Sequence, residues 1–243
     1  MASTAKIIAY NIEFAKATHP EAIAQHLQAE NPDIICFSEV PNGDWTARVG
    51  QCMGMNYSYV GTIASANHEK EYLDKTGKYY GKFKSILSKT PVTDLHEELL
   101  EGTGWSPVSI VFARTIINDM SLLIGSLHIP SGIGDPANSC AANLAKLINS
   151  YQDERIIICG DYNDLAKAVP LQILYRQSYK NAWLETNYIL INQKTCNAKN
   201  EESYGVIDHF LYKGSLKAVK TDIIKSGIPQ SDHYAITMNF LLK

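Results

Sequence analysis

The sequence predicts a single α/β domain over residues 1–243. Strand-like apolar runs alternate with helix-like segments through the first 60 residues, a pattern typical of α/β layering. Further along, a regular amphipathic stretch over 136–151 leads into the apolar run 156–159, which begins with three isoleucines. A short β-branched run bounded by a turn signal is typical of a buried strand, so we expect residues 156–159 to form a central strand.

The amino-terminal quarter supplies most of this alternation. Pro20 suits the first turn of a helix, because its φ is fixed and its missing N–H is not needed there. Asn31 and Pro32 then end that helix. The predicted elements are a strand over 6–10 that ends at Asn11, a helix over 20–31, a strand over 33–38 that delivers Glu39, a helix over 43–53 and a strand over 57–61.

Residues 62–80 are polar and charged, which predicts an exposed loop. The main basic concentration of the chain overlaps this loop, and only Glu71 and Asp74 oppose it. Two interpretations are open, a solvated loop or a surface that faces phosphate groups. The lysines concerned are Lys70, Lys75, Lys78, Lys82, Lys84 and Lys89.

The remaining chain gives a second series of elements. Residues 82–88, 108–113 and 120–127 are predicted as strands without intervening helices, which indicates antiparallel pairing. The last of them delivers His128. The other predicted elements are a helix over 136–151, a helix through Leu171 to Arg176, an irregular stretch to Tyr204, and strands over 205–212, 216–224 and 234–242.

Composition excludes several classes of protein. With 45% hydrophobic and 19% charged residues the chain resembles ordinary globular proteins, and its net charge of −3 means that any binding to nucleic acid needs a local patch or a metal ion. Five cysteines without a C-x-x-C pair argue against a disulfide framework or a zinc ribbon. No segment reaches the about 18 apolar residues of a membrane span. We expect a cytoplasmic monomer.

Residues able to bind a metal ion or move a proton stand at the ends of six strand-like runs. Each has an ordinary alternative; Asp161, for example, is also a residue type that caps turns. Gly160 is expected to turn the chain sharply, so that Asp161 and Asn163 project from one edge. Strand ends in α/β folds lie side by side and can direct side chains into one crevice. The residues are Asn11, Glu39, His128, Asp161 with Asn163, Asp208, and Asp232 with His233.

The types of side chain indicate which chemistry is available. Carboxylates and carboxamides are hard oxygen donors that suit Mg²⁺ or Mn²⁺ better than zinc. The histidines and additional aspartates supply the acid, base and charge-stabilising groups that phosphoryl transfer needs. Ser-His-Asp hydrolysis is the weaker alternative, because the chain has no G-x-S-x-G motif.

Seven short segments together resemble the endonuclease/exonuclease/phosphatase superfamily, which includes pancreatic-type deoxyribonuclease, exonuclease-III-type AP endonucleases, sphingomyelinases and inositol polyphosphate 5-phosphatases. They occur in the order found in that family and span nearly the whole chain. The G-D-x-N and S-D-H pair is the most specific part. The segments are 10–12, 37–40, 85–91, 126–128, 160–164, 206–210 and 231–233.

The resemblance implies a four-layer sandwich, in which two mixed sheets pack face to face between helices, with the site at the strand ends. It also implies a role for each residue. Glu39 would be the principal metal ligand, with Asn11 and Asp232 nearby. His233 would contact the scissile phosphate, paired with Asp208, and His128 would stabilise phosphoryl charge. Asp161 would orient or deprotonate the attacking water, Asn163 would hold a phosphate oxygen or that water, and Tyr80, or alternatively Tyr79, would contact phosphate.

Three functions follow from this pattern. The first is a Mg²⁺-dependent phosphodiesterase that acts on nucleic acid. The second is the same site acting on a small phosphoester such as a nucleotide, inositol phosphate or lipid headgroup. The third is an inactive binding protein on the same fold. Pro41 and Trp105 stand where pancreatic-type deoxyribonucleases have DNA-contacting arginines, so the resemblance bears more on the shared chemistry than on the substrate.

Overall fold

Two six-stranded mixed sheets pack face to face and carry helices on their outer sides. The structure is a computed structural model that describes residues 4–13, 19–64, 81–100, 108–129, 135–152, 155–196, 205–227 and 230–243. Its strands are β1 (Thr4–Asn11), β2 (Ile34–Val40), β3 (Tyr57–Val60), β4 (Phe83–Ser88), β5 (Val92–Leu99), β6 (Ser109–Ile117), β7 (Met120–His128), β8 (Arg155–Asp161), β9 (Lys180–Asn181), β10 (Asp208–Gly214), β11 (Leu216–Ile224) and β12 (Ala235–Leu242). Its helices are α1 (Pro20–Leu27), α2 (Trp45–Met53), α3 (Asp135–Ser150), α4 (Val169–Tyr175) and α5 (Ala182–Glu185).

The order of the strands brings the predicted site residues together. The first sheet runs β11-β12-β1-β2-β4-β3 and the second β5-β6-β7-β8-β10-β9, with β1–β2 and β7–β8 as parallel pairs. Parallel neighbours end at the same edge of a sheet. Asn11 therefore lies opposite Ser38, and His128 lies opposite Asp161. Strand β10 starts where β8 ends, which puts Asp208 opposite Asp161 as well.

Buried apolar side chains form three layers that hold the sandwich together. Strand β8 illustrates the alternation: Ile157 and Cys159 belong to the layer between the sheets, whereas Ile156 and Ile158 pack with residues of α3 and α4. Helices α1 and α2 cover the outer face of the first sheet. Each fully buried isoleucine contributes about 2 kcal/mol through the removal of apolar surface from water. The predicted four-layer sandwich is thus confirmed.

The structure departs from the predicted elements in a few places. Strand β5 was not predicted, because its sequence VTDLHEEL lacks apolar alternation. It is an edge strand whose residues are exposed or partly exposed, and among the described strands it pairs with β6. Strand β9 and helix α5 fall within the stretch that was predicted to be irregular, and β10 begins at Asp208 rather than at 205. In the described part of the chain, no helix is long and apolar enough to cross a membrane.

Candidate active site

The predicted site residues come together at one end of the sandwich, apart from Tyr80 and its alternative Tyr79, which lie outside the described residues. Asp161 is the centre of the group. Its Oδ2 accepts a hydrogen bond from Asn11 Nδ2 at 3.0 Å and lies 3.5 Å from Nε2 of His128 and 3.6 Å from Nε2 of His233. Residues more than 200 positions apart in the sequence therefore meet around one carboxylate.

We call Asp161, Asp208 and His233 the histidine half of the site. His233 Nδ1 and Asp208 Oδ2 are 2.9 Å apart, and all three side chains are buried. Burial favours the neutral imidazole, but the carboxylates of Asp208 and Asp161 outweigh it and raise the pKa of His233 to about 10. At neutral pH the ring is therefore an imidazolium between two acidic side chains.

The backbone of Asp208 is fixed by two neighbouring side chains. Trp183 Nε1 donates to the Asp208 carbonyl oxygen at 3.0 Å, and the hydroxyl of Thr195 accepts the backbone N–H groups of Ile207 and Asp208 at 3.0 and 3.2 Å. One carboxylate oxygen of Asp208, Oδ1, is buried and has no hydrogen-bond partner among the described residues. The aspartate is thus held rigidly while one acceptor remains available in the site.

Asp161 is a buried carboxylate with an altered proton affinity. Burial raises the pKa of Asp161, and the Asp208 carboxylate raises it further, while the charge of His233 acts in the opposite direction. The backbone N–H of Asn163 donates to Oδ1 at 2.8 Å. A carboxylate with a raised pKa accepts a proton more readily than an exposed one, which suits a general base.

Gly160 allows the strand that carries Asp161 to approach its neighbour closely. Its φ is +141°, and a Cβ at this position would lie 2.1 Å from the Leu127 carbonyl oxygen. Only glycine avoids that collision. The expected sharp turn does not occur at Gly160 itself, which lies within β8; the chain leaves the sheet after Asp161.

Asn163 and His128 form a second hydrogen-bonded unit beside Asp161. Asn163 adopts a left-handed φ of +50°, and its Nδ2 donates to the Ile129 carbonyl at 2.8 Å and to His128 Nε2 at 3.0 Å. Nε2 is thus an acceptor, which requires a neutral ring. Consistently, burial lowers the pKa of His128 to about 4, against the opposing charge of Asp161.

We call Asn11, Glu39 and Asp232 the acidic half of the site. Glu39 has a left-handed φ of +53° at a bulge where the pairing of β2 with β4 shifts register between Ser38 and Val40. A bulge redirects a side chain that would otherwise follow the strand alternation. Burial raises the pKa of Asp232, and the neighbouring carboxylates of Glu13 and Glu39 raise it too, although His233 lowers it. The two acidic side chains of this half therefore repel each other.

Two residues of the site were not predicted to act there. Lys82 was assigned to the basic concentration, yet its Nζ lies 3.0 Å from Glu39 Oε1 and only 13% of its side chain is exposed. Ser231 was noted only as part of a motif. Its hydroxyl donates to the Asn11 carbonyl at 2.7 Å and accepts the backbone N–H of His233 at 3.1 Å, so it joins both halves. Neither contact has a signature in local sequence.

Comparison with known proteins identifies the family. The family model described as "Endonuclease/Exonuclease/phosphatase family" matches residues 8–233. The chain belongs to this family. It is a family of phosphoesterases, and its members generally depend on divalent metal ions. No curated protein sequence matches the chain.

Solved structures with the same fold are distant in sequence. An endonuclease/exonuclease/phosphatase from Beutenbergia cavernae has a TM-score of 0.80 at 14% identity, over 98% of this chain and 72% of that one. A mannosyl-6-phosphatase from Bacteroides thetaiotaomicron has a TM-score of 0.76 at 15% identity, over 98% and 100%. TDP2 from Caenorhabditis elegans has a TM-score of 0.70 at 18% identity, over 98% and 74%. At these identities the likeness concerns the fold.

Two groups of side chains in this phosphoesterase site carry the ligand types that a divalent cation could use. Ligand atoms of Asp161, Asp208 and His233 all lie within 4.8 Å of one another. That group already contains a positive charge, because His233 is protonated and hydrogen-bonded to Asp208. The acidic half offers oxygen donors only, and the mutual repulsion of Glu39 and Asp232 is what a cation would relieve. The acidic half therefore fits a hard divalent cation better.

Proposed function

We propose that the protein hydrolyses phosphoester bonds by attack of an activated water on phosphorus, with a divalent cation bound in the acidic half. The observation that supports this most is the position of the buried Asp161 carboxylate in the histidine half. Asn11 of the acidic half donates a hydrogen bond to it, and the His233 imidazolium lies 3.6 Å away. A base beside a fixed positive charge is the arrangement that water attack on a phosphoryl group requires.

Asp161 would take the proton of the attacking water. Its raised pKa favours this transfer, and its hydrogen bonds with Asn11 and the Asn163 backbone hold the carboxylate in place. The Asn163 side chain would orient the water through Oδ1, because the Ile129 carbonyl and neutral His128 accept its two Nδ2 protons. In this scheme His128 acts mainly by positioning Asn163.

His233 would donate a hydrogen bond from Nε2 to a phosphoryl oxygen. Asp208 holds the opposite nitrogen and keeps the ring protonated, so that the positive charge faces the site without any proton having to arrive during the reaction. Asn11, Glu39 and Asp232 would hold Mg²⁺ or Mn²⁺, which supplies further charge neutralisation at the phosphoryl group.

For the substrate, the described lysines favour a small phosphoester over nucleic acid. Lys84 is fully buried, 3.8 Å from Glu97, and Lys82 is bound to Glu39 inside the site. Lys89 donates to the side chain of Asn31 at 2.7 Å. Lys82 and Lys84 therefore do not form an exposed basic surface for a polymer, and Lys70, Lys75 and Lys78 lie outside the described residues. Action on nucleic acid stays a prediction from the sequence. The turnover assay described below tests it with a plasmid substrate.

The test is a turnover assay with Mg²⁺ and Mn²⁺ on a panel of substrates: sugar phosphates, p-nitrophenyl phosphate, bis-p-nitrophenyl phosphate and supercoiled plasmid. We expect hydrolysis of at least one small phosphoester, with loss of activity on chelation and in Asp161→Asn. Faster cleavage of plasmid than of every small ester would instead favour the nuclease. Absence of turnover across the panel, or full activity in Asp161→Asn, would refute the proposed chemistry.

A further inference from the structure

Lys82 is the one described lysine that contacts a predicted metal ligand. Its ammonium group lies 3.0 Å from Oε1 of Glu39, and the side chains are 13% and 8% exposed, respectively. The same oxygen lies 3.5 Å from Nδ1 of His128. Lys82 also acts together with burial to keep His128 neutral, so its charge reaches beyond Glu39. The lysine is therefore a component of the site, although it lies just before β4 among residues predicted as a surface loop and strand.

The charges around the site explain why a lysine is placed there. Four carboxylates, those of Glu39, Asp161, Asp208 and Asp232, converge with only His233 as an internal cation in the histidine half. Among the residues that the structure describes, the positive groups placed against Glu39 and Asp232 are Lys82 and His233. A half-buried carboxylate next to a second one is costly unless a cation is close. Lys82 supplies that cation.

A divalent cation in the acidic half would compete with Lys82 for the Glu39 carboxylate. When the cation binds Glu39, the attraction that holds the ammonium group at Oε1 weakens, because the carboxylate charge is then shared. The lysine keeps its charge and its position at the edge of the site. A phosphoryl group carries the negative oxygens that an ammonium group binds well.

We propose that Lys82 is a phosphate-binding residue. Its ammonium group is bound by Glu39 until a divalent cation binds that carboxylate, and it then becomes available to a phosphoryl oxygen. The inference rests on the proposed function, since it assumes that the site receives a phosphoryl group. It predicts two opposite effects of one substitution. Removal of the ammonium group should strengthen cation binding and weaken phosphate binding.

The experiment measures binding, so that it does not depend on turnover. Mn²⁺ affinity of the free protein is measured by calorimetry, and the affinity for inorganic phosphate is measured at saturating Mg²⁺. For Lys82→Met we expect Mn²⁺ to bind about tenfold more tightly, because one adjacent positive charge is lost. Phosphate should bind about tenfold more weakly, because a charge-assisted hydrogen bond is lost. Lys82→Arg should stay close to the wild type in both.

Lys89→Met is the matched control. It removes a lysine from the same segment whose Nζ binds Asn31 and lies 3.9 Å from Asp33, outside the site. Both affinities should equal those of the wild type. If Lys82→Met binds Mn²⁺ more tightly but phosphate as well as the wild type does, Lys82 is only a counter-ion of Glu39 and the inference is overturned. Weaker Mn²⁺ binding in Lys82→Met would overturn it as well.

These outcomes are separable from those of the proposed function. A wild-type protein that turns over a phosphoester while Lys82→Met retains normal phosphate affinity would refute the role of Lys82 alone. A wild-type protein that hydrolyses nothing in the panel, yet shows both shifts in Lys82→Met, would refute the hydrolase and leave a phosphate-binding site that uses Lys82. Absence of Mn²⁺ binding in the wild type would overturn the inference, because no cation could then release the lysine.

Discussion

The buried carboxylates in the two halves of the site are balanced by positive charge in different ways. In the histidine half, the positive charge belongs to the chain: His233 sits between Asp208 and Asp161, at 2.9 and 3.6 Å. In the acidic half, Glu39 and Asp232 raise each other's electrostatic cost, and the Lys82 ammonium group lies 3.0 Å from Glu39. The first half thus contains its own cation, whereas the second holds two carboxylates whose repulsion an external cation would relieve. Substitutions in the two halves should therefore alter different measurable quantities.

The largest effect is expected in the histidine half, from Asp161→Asn. Without its base the site should lose about 1000-fold or more in kcat. Because Asp161 is assigned to proton transfer and not to the cation, Mn²⁺ affinity measured by calorimetry should stay near the wild-type value. Loss of Mn²⁺ binding together with activity would break the comparison, since it would move the cation to the group formed by Asp161, Asp208 and His233.

Asp208→Asn should have the next largest effect, about 100-fold in kcat, because His233 loses the partner that keeps it charged. In the wild type, kcat/KM should fall as the pH rises through about 10, where His233 loses its proton. The acid limb should reflect Asp161, whose pKa is raised by burial. In the variant the alkaline limb should move to lower pH. An unchanged alkaline limb would show that Asp208 does not set the charge of His233.

The ion pair between His233 and Asp208 also contributes to folding stability. The linkage between protonation and folding fixes the sign of its pH dependence. Because the folded pKa of His233 is raised to about 10, its contribution is fully present below the unfolded pKa of about 6.5 and is lost as the pH rises through about 10. Urea unfolding at pH 7 and pH 10 should show a wild-type loss that is smaller in Asp208→Asn. An equal loss in the two proteins would contradict the assignment.

Glu39→Gln probes the acidic half. The amide keeps the shape of the side chain but removes its charge, so we expect Mn²⁺ to bind about 10- to 100-fold more weakly. Activity should return when the metal concentration is raised, which Asp161→Asn cannot reproduce. Asp94→Asn removes an exposed carboxylate on the edge strand β5 and should change neither quantity. Irrecoverable loss of activity at saturating metal would mean that Glu39 has a role besides metal binding.

The sequence predicted the residues of both halves but only part of their environment. The strand ends were recognisable because isoleucine-rich runs stop at polar residues, as Ile158 and Cys159 do before Asp161. The bulge at Glu39 was not, since a left-handed φ at a glutamate depends on how β2 pairs with β4. Lys82 was interpreted as part of a loop surface, because local composition does not reveal a carboxylate 43 positions away.

Strand β5 was missed for a related reason. An edge strand exposes most of its side chains, so that no apolar period marks it, and the pairing with β6 that forms it is a tertiary contact. Residues that bury apolar surface can thus be recognised from the local sequence. Residues that act through partners on other strands, such as Lys82 and Ser231, become visible only when the strands are assembled.

The smallest expected effect comes from a histidine just outside the histidine half. His209 follows Asp208 and is equally buried, but its partners are neutral: Nε2 lies 2.8 Å from the Asp164 carbonyl oxygen and Nδ1 lies 3.2 Å from Asn181 Nδ2. Burial accordingly lowers the pKa of His209 to about 4, although its hydrogen bond to Asp164 opposes this, whereas His233 beside its carboxylates is raised to about 10. Equal burial with different partners thus shifts two histidines in opposite directions.

The lowered pKa of His209 predicts the direction in which folding stability changes as the pH falls. Between pH 6.5 and 4 the unfolded chain binds more protons than the folded one at His209, so stability falls as the pH falls. From pH 7 to pH 5 the loss from His209 should be about 2 kcal/mol, and neutral His128 should add a comparable amount. His209→Gln keeps an amide donor and acceptor but cannot titrate, so urea unfolding from pH 7 to pH 5 should show a loss about 2 kcal/mol smaller than in the wild type. If the variant lost stability on acidification as steeply as the wild type, neutral partners would not be what keeps His209 uncharged, and the contrast with His233 would fail.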